Sequence, residues 1–321
     1  MILTVTLNPL LERRLIYRQI DFGTVNRNAK EELKPGGKGI NVSSQLNKLN
    51  TQNLAFTFLG GENGKILRKA FTQRGISFTA VQTNCETRYA FITIDESLKS
   101  ITTFFSPNSE IIKDECDEFK LKLEKMIVNC EIVVFSGSSP CKETDSIIPF
   151  GIDLANKFDK VSVCDTYGKH LTDCIENSPT IVHNNISEIE RSLNLSLKNE
   201  KEKLNYMDYL YNKNIKQVFL TDGPNATYAS NFDYHYKIEN PKIETIDSTG
   251  SGDSFVAGII YGWHNNLTFE ESLVLASSLG ALNAASFDVC NVTLEEAQKI
   301  IKSVKISPVG KKMKIIDVVP R

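Results

Sequence analysis

Three hundred and twenty-one residues suit one large α/β domain or two small ones. Hydrophobic residues make up 41% and charged residues 24%, and 37 Lys and Arg face 39 Asp and Glu for a net charge of -2. That balance excludes a disordered or collagenous chain and gives no global basic excess to attract nucleic acid. No apolar run reaches the ~18 residues that a membrane span needs.

The seven Cys, at 85, 116, 130, 141, 164, 174 and 290, form no Cys-x-x-Cys pair. They read as reduced, buried thiols of a cytoplasmic protein. The N-terminus has no basic segment ahead of an apolar one, so it does not read as a signal peptide.

The chain opens on a strand, Ile2 to Leu7, stopped by Asn8-Pro9. Residues 15–20 and 28–34 are polar and alternating and read as exposed strands or loop. A Gly-rich break, Lys34 to Gly39, precedes a helix with apolar residues at 42, 46 and 49. Such a turn offers free backbone N–H groups to whatever lies in front of it. A strand near 54–59, a turn at Gly60–Gly64 and a helix from Lys65 to Arg74 follow. Residues 87–95 and 100–105 read as a β-hairpin. Next come helix 114–128, strand 131–135, helix 144–157, strands 161–165 and 180–183, helix 200–213 and strand 216–221. Continuous apolar strands alternating with amphipathic helices predict an α/β fold of three layers around a mostly parallel sheet. The polar loops 136–140, 165–169, 184–188 and 221–227 all follow strands and should gather on one rim, where such sheets bind ligands. The last third is helical, at 252–264 and 269–286. No linker divides the chain, so residues 1–321 read as one domain, with the polar strand pairs standing off it as a small sheet.

The sharpest motif is Asp247-Ser248-Thr249-Gly250-Ser251-Gly252-Asp253, running on to Gly258. Two Gly alternating with Ser at a helix start let successive N–H groups converge, and with the helix dipole they make an anion hole. A carboxylate beside an anion hole makes sense when Asp253 takes a proton from a hydroxyl while the N–H groups hold a phosphoryl group. Alone, the same residues also read as a plain helix cap.

With its companions the motif resembles the C-terminal signature of the ribokinase-like, or PfkB, family of ATP-dependent sugar kinases. Gly36 to Val42 match that family's Gly-Gly-Lys-Gly-x-Asn-Val signature, and Thr6 to Pro9, Ser136 to Pro140 and Asp165 to Gly168 add to the likeness. The opening Thr-Leu-Asn-Pro resembles the phosphosugar-kinase branch that holds 1-phosphofructokinase and tagatose-6-phosphate kinase. The resemblance implies an ATP-dependent phosphotransferase with an alcohol acceptor. Fructose 1-phosphate, attacked through its 6-hydroxyl, is the implied acceptor, and tagatose 6-phosphate, attacked through its 1-hydroxyl, is the alternative. A free sugar or nucleoside and a non-catalytic sugar-phosphate sensor are minor readings.

The resemblance also implies roles. Asp253 is the base, and Gly250, Ser251 and Gly252 are the anion hole. Asn185 and Glu188 match the Asn-x-x-Glu motif that organises Mg²⁺ through water. Thr221, Asp222 and Gly223, with Ser251 and Gly252, hold ATP. Asn283 lies where adenine is received, in a stretch that reads equally as an ordinary small-residue packing face. Gly36, Gly37, Asn41 and Glu12 face sugar hydroxyls. Lys38, Arg88, Ser138 and Arg27 face the sugar phosphate. A β-lid from about 11–35 and 84–106 closes over the sugar, and a homodimer through that lid is expected. No membrane or nucleic acid partner is expected.

Four positions depart from the family pattern. Glu12 stands for the usual Asp, His183 for a Lys before Asn184-Asn185, Ala226 for a Gly, and Ser44 for an Arg. There is no Walker A sequence, and Gly250-Ser251-Gly252 lacks the third Gly of a dinucleotide fingerprint. The four His have no ligand spacing. Lysines 305, 311, 312 and 314 read as a solvated tail.

Overall fold

The computed structural model of the protein describes residues 1–310. Strand β1 (Ile2–Thr6) is buried along its whole length, as a central parallel strand must be. Strands β2 (Leu10–Tyr17) and β3 (Lys30–Gly36) follow, and β3 passes through Gly37 into α1 (Lys38–Lys48). Then come β4 (Asn53–Gly60), α2 (Gly61–Gln73), β5 (Phe78–Thr83), β6 (Tyr89–Asp95) and β7 (Ser100–Phe105). The middle of the chain is α3 (Lys113–Asn129), β8 (Ile132–Gly137), α4 (Ile147–Lys157), β9 (Val161–Thr166), α5 (Leu171–Glu176), β10 (Ile181–Asn185), α6 (Ile186–Leu193), α7 (Glu200–Asn212) and β11 (Gln217–Thr221). The chain continues with β12 (Thr227–Asn231), β13 (Tyr234–Glu239), α8 (Ser251–His264), α9 (Phe269–Ala284), α10 (Leu294–Ile300) and β14 (Lys305–Val309).

Ten strands form one sheet in the order β14-β13-β12-β11-β10-β9-β8-β1-β4-β5. Pairings from β5 through β11 are parallel, and those from β11 to β14 are antiparallel. Alternate residues of each strand face opposite helical layers. On β8, Val133 and Phe135 pack with Phe119 and Leu123 of α3 and with Ile152 of α4. Ile132 and Val134 pack with Val42 of α1 and with Phe255 and Ile259 of α8. The three-layer α/β/α fold is as expected.

Strands β3-β2-β6-β7 make a second, four-stranded sheet. β2 pairs antiparallel with β3 and parallel with β6, and β6 and β7 form the expected hairpin. Its inner face carries Arg14, Ile92 and Thr103 in one row. The neighbouring row, through Leu33, Arg13, Phe91 and Phe104, faces away, and Leu33, Phe91 and Phe104 are exposed there.

Several elements differ from the sequence expectation. The stretch expected as a turn at 60–64 is the end of β4 and the first turn of α2. The carboxylate of Glu86 accepts the N–H groups of Glu62 (3.3 Å) and Asn63 (2.6 Å), so a distant side chain caps a helix that has no local cap. The strand at 15–20 starts earlier, at Leu10, and Leu11, Glu12 and Arg14 on it are buried. Residues 184–188 end β10 and begin α6. Strands β5, β12, β13 and β14 and helices α5, α6 and α10 are additional. Lys305 is exposed on β14, while the other lysines of the expected tail, 311, 312 and 314, lie outside the described residues. All seven Cys are free thiols.

Candidate active site

The four polar loops do gather on one rim. They line a cavity of about 940 Å³ between the main sheet, the second sheet and the N-terminus of α8. The strand order fixes the sequence of groups along it. Thr221 and Gly223 follow β11, Asn185 and Glu188 follow β10, Tyr167 follows β9, Ser138 follows β8, and Asn8 follows β1.

Gly250 caps α8 at φ 79°, a left-handed conformation that glycine adopts without strain. Ser251 N–H closes a turn on Ser248 O at 3.1 Å, and Ser254 N–H reaches back to Gly250 O at 2.8 Å. Between them, the N–H groups of Gly252 and Asp253 have no partner outside the helix among the described residues. Helix dipole and open N–H groups together favour an anion in front of this turn.

Asp253 sits in that turn, only 4% exposed. Asn41 Nδ2 donates to its Oδ2 at 2.7 Å. Burial pushes the carboxyl up to about 7, against the pull of the Lys38 ammonium and the Asn41 hydrogen bond, with Asp165 and Glu188 adding to the rise. A carboxyl poised near neutrality inside a cavity suits a general base.

Lys38 begins α1 and points among acids. Its Nζ lies 2.9 Å from the Glu188 carboxylate and 3.4 Å from Asp165 Oδ1, and 5.0 Å from the centre of the Tyr167 ring. Burial works against the ammonium, but Asp165, Glu188 and Asp253 outweigh it and hold its pKa above the ordinary lysine value. Lys38 thus already has anionic partners, whereas the sequence reading gave it a substrate phosphate. Asp165 is held below the usual range despite its burial, by Lys38 and by His183, whose Nδ1 is 2.9 Å from Asp165 Oδ1. The other ring nitrogen of His183 is 3.3 Å from Thr221 Oγ1. A carboxylate only accepts, so Nδ1 carries the proton.

Arg88 stands at the other end. Its Nη2 donates to Asn8 O at 3.0 Å, its Nε to Pro9 O at 3.3 Å, and its Nη1 to Asn108 Oδ1 at 3.2 Å. Asn8 Nδ2 in turn donates to Asn108 Oδ1 and to Ser138 Oγ, each at 3.1 Å. Arg88 and Ser138 are therefore brought together, through two asparagines. Next to Arg88, Thr87 is stitched to the start of α2. Its N–H donates to Gly60 O at 3.0 Å, its Oγ1 accepts from Gly60 N–H at 2.9 Å, and its carbonyl accepts from Asn63 Nδ2 at 2.9 Å.

Glu12, Gly37 and Asn41 also line the cavity. The Glu12 carboxylate is engaged by Arg14, at 2.8 Å from Nη2 and 2.9 Å from Nε. Burial raises its pKa, with Arg14 opposing. Gly36 lies against Glu12, where an added Cβ would stand 2.7 Å from Oε1.

Besides Gly36, which lies behind Glu12 and does not line the cavity, three expected residues stand apart. Arg27 is on the exposed connection between β2 and β3 and does not line the cavity. Asp222 does not line it either, and instead accepts from Asn225 Nδ2 at 3.1 Å. Asn283 is fully buried and spent on structure. Its Nδ2 donates to Thr249 O (2.7 Å) and Ser251 Oγ (3.2 Å), and its Oδ1 accepts from Cys290 N–H (2.7 Å). Its helix meets the cavity through Ser277, Gly280, Ala281 and Ala284.

Asn185 caps α6, and its Oδ1 accepts from Ser187 N–H and Oγ–H. Among the described residues no three His, Cys, Asp or Glu side chains group to hold a metal ion. The hard oxygens of Asn185 and Glu188 on the cavity wall fit Mg²⁺ held mainly by waters and phosphates.

Sequence reasoning missed Asn8, Asn108, Arg14 and the inward role of His183. Asn8 lay in a motif already noticed, and Arg14 is two residues from Glu12 on one strand, hence on the same face. Asn108, in a loop, carried no signal.

A Staphylococcus epidermidis protein named tagatose-6-phosphate kinase is 28% identical to this chain over 310 residues, 95% of this chain and 99% of that one. A structure described as a possible 1-phosphofructokinase from Thermotoga maritima has the same fold. Its TM-score is 0.89 at 24% identity, covering 97% of this chain and 100% of that chain. Phosphofructokinase-2 from Escherichia coli in complex with fructose-6-phosphate gives 0.83 at 23% identity, covering 94% and 98%. Residues 8–297 match the pfkB family of carbohydrate kinases. With the Gly250–Gly252 turn and Asp253 at the head of one cavity, the chain belongs to that family, which transfers a phosphoryl group from ATP to a sugar.

Proposed function

We propose that this chain phosphorylates a ketohexose monophosphate at a primary hydroxyl, and that fructose 1-phosphate is the acceptor. The observation that carries this reading is the cluster of Arg88, Asn8 and Ser138, joined by Asn108, which suits a phosphate and lines the same cavity as Asp253. A ketohexose monophosphate carries a phosphate at one end and a primary hydroxyl at the other.

In this reading Arg88 and Ser138 hold the sugar phosphate, and Glu12, Gly37 and Asn41 face the hydroxyls. Asp253 takes the proton of the attacking hydroxyl, and the oxygen attacks the γ-phosphorus of ATP as the bond to ADP breaks. The N–H groups of Gly252 and Asp253 stabilise the charge on the transferring group. Thr221, Gly223, Ser251 and Gly252 border the nucleotide. Asn185 and Glu188 would hold Mg²⁺ through its waters, and the ion would supply charge neutralisation at the ATP phosphates. The second sheet acts as a lid that keeps water from the γ-phosphorus. The exposed row of Leu33, Phe91 and Phe104 on its outer face supports a homodimer through that lid.

Tagatose 6-phosphate is the second reading, favoured by the name of the Staphylococcus epidermidis relative. A coupled ADP-release assay with Mg-ATP tests both, on fructose 1-phosphate, fructose 6-phosphate, tagatose 6-phosphate, fructose and ribose. Preference for fructose 1-phosphate is expected. Activity confined to an unphosphorylated sugar would overturn the phosphate grip.

A further inference from the structure

Among the described residues five cationic side chains line the cavity: Arg14, Lys38, Arg88, Arg191 and Lys242. Two of them are neutralised from within. Arg14 is paired with Glu12, and Lys38 with Asp165 and Glu188. Arg88 is fixed by Asn8, Pro9 and Asn108, beyond the ends of β1 and β8. Two remain for the other end of the rim, and they are not equivalent. Lys242 has no anchoring contact among the described residues. Arg191 has one: its Nε donates to Ser187 O at 3.0 Å, within α6.

Ser187 is itself held by Asn185 Oδ1 through both its N–H and its hydroxyl. The guanidinium is thus tied to the first turn of α6, less than one turn past Glu188, and its two Nη groups have no partner among the described residues. β10 lies between β11, which ends at Thr221, and β9, which leads to Asp165. A polyphosphate bordered by Thr221 and Gly223 at one end and by the turn before Asp253 at the other must pass the β10–α6 junction. There Lys38 is spent on Glu188, and His183 turns inward to Asp165 and Thr221, so neither side chain leaves a free donor for a phosphate oxygen.

We propose that Arg191 binds the polyphosphate chain of the nucleotide, its planar fork donating two hydrogen bonds to phosphate oxygens. This rests on the kinase reading above and adds to it the residue that recognises the nucleotide's charge rather than its base.

The test is calorimetric and kinetic, on the full chain, with Arg191→Ala and Arg191→Lys beside the unmodified protein. The ligands are Mg-ATP and adenosine, and KM for the phosphosugar is measured in parallel. Arg191→Ala is expected to weaken Mg-ATP binding about tenfold or more, since a charge-assisted bidentate contact is lost. Adenosine affinity and phosphosugar KM should stay within about twofold, and Lys should recover part of the loss. Mg-ATP affinity unchanged in Arg191→Ala would overturn the proposal, as would an equal loss for adenosine. If the unmodified protein bound no Mg-ATP, the kinase reading itself would fail, a result distinct from the other two.

Discussion

Asn41 Nδ2 donates to Asp253 Oδ2 across 2.7 Å, joining the first turns of α1 and α8 inside the cavity. The amide fixes one carboxylate oxygen and leaves the other to meet a hydroxyl. Asn41→Ala should therefore misplace the proposed base as well as remove the proposed sugar contact, seen as a fall in kcat together with a rise in KM for the sugar.

Replacing Asp253 itself removes the proton acceptor but keeps the shape. Asp253→Asn is expected to lower kcat by roughly 100-fold or more with little change in either KM, because a general base acts chiefly in the transition state. Steady-state kinetics decide this, and a near-normal kcat would refute the assignment.

Burial raises the Asp253 pKa to about 7, from the roughly 4 of an unfolded carboxyl. Two pH effects follow. Activity requires the charged form, so kcat/KM should rise with pH through about 7. The folded state holds this proton more tightly than the unfolded state does. Hence Asp253 costs stability that grows as pH climbs from about 4 to 7 and is fully felt above 7. Asp253→Asn should gain Tm over the unmodified protein at pH 8 and lose that gain near pH 4.5. Melting curves at the two pH values test this.

Lys38 is the counter-ion of Asp165 and Glu188, and it also holds the Asp253 pKa down. Lys38→Met would strand buried carboxylates, which in comparable cases costs about 3 kcal/mol. It should also move the acidic limb of kcat/KM above 7. A variant with unchanged Tm and unchanged pH profile would contradict the pairing.

Arg88→Ala is expected to raise KM for a phosphosugar by about tenfold or more and to leave unphosphorylated sugars alone. Equal effects on both would count against the phosphate grip. Asn283→Ala separates two roles by the same logic. It should lower kcat, because the Thr249–Ser251 turn loses its support, and a rise confined to KM for ATP would restore the adenine role.

Much of this arrangement was legible in the residues. Continuously apolar strands between helices of period 3.6 located the parallel core, because parallel strands are buried on both faces. Gly250-Ser251-Gly252-Asp253 pointed to the anion turn only together with Gly36 to Val42, since alone it reads equally as a helix cap. The start of α2 was hidden because Glu86, far along the chain, supplies its cap. Lys38 was legible as a cation and illegible as a paired one, because Asp165 and Glu188 reach it only through the fold. Asn283 stayed open between two readings for the same reason: a buried amide looks alike in sequence whether it meets a ligand or a loop. Strands β12 to β14 are short and largely polar on one face and were lost among turns.

The clasp between Thr87, Gly60 and Asn63, with Glu86 capping α2, has a consequence for how this molecule comes to exist. The first turn of α2 gains its cap only when a segment made later in the chain docks on it. That segment carries Arg88. The arginine's aim is thus decided as the chain folds, before any ligand arrives, and this end of the cavity is complete only when β6 is in place.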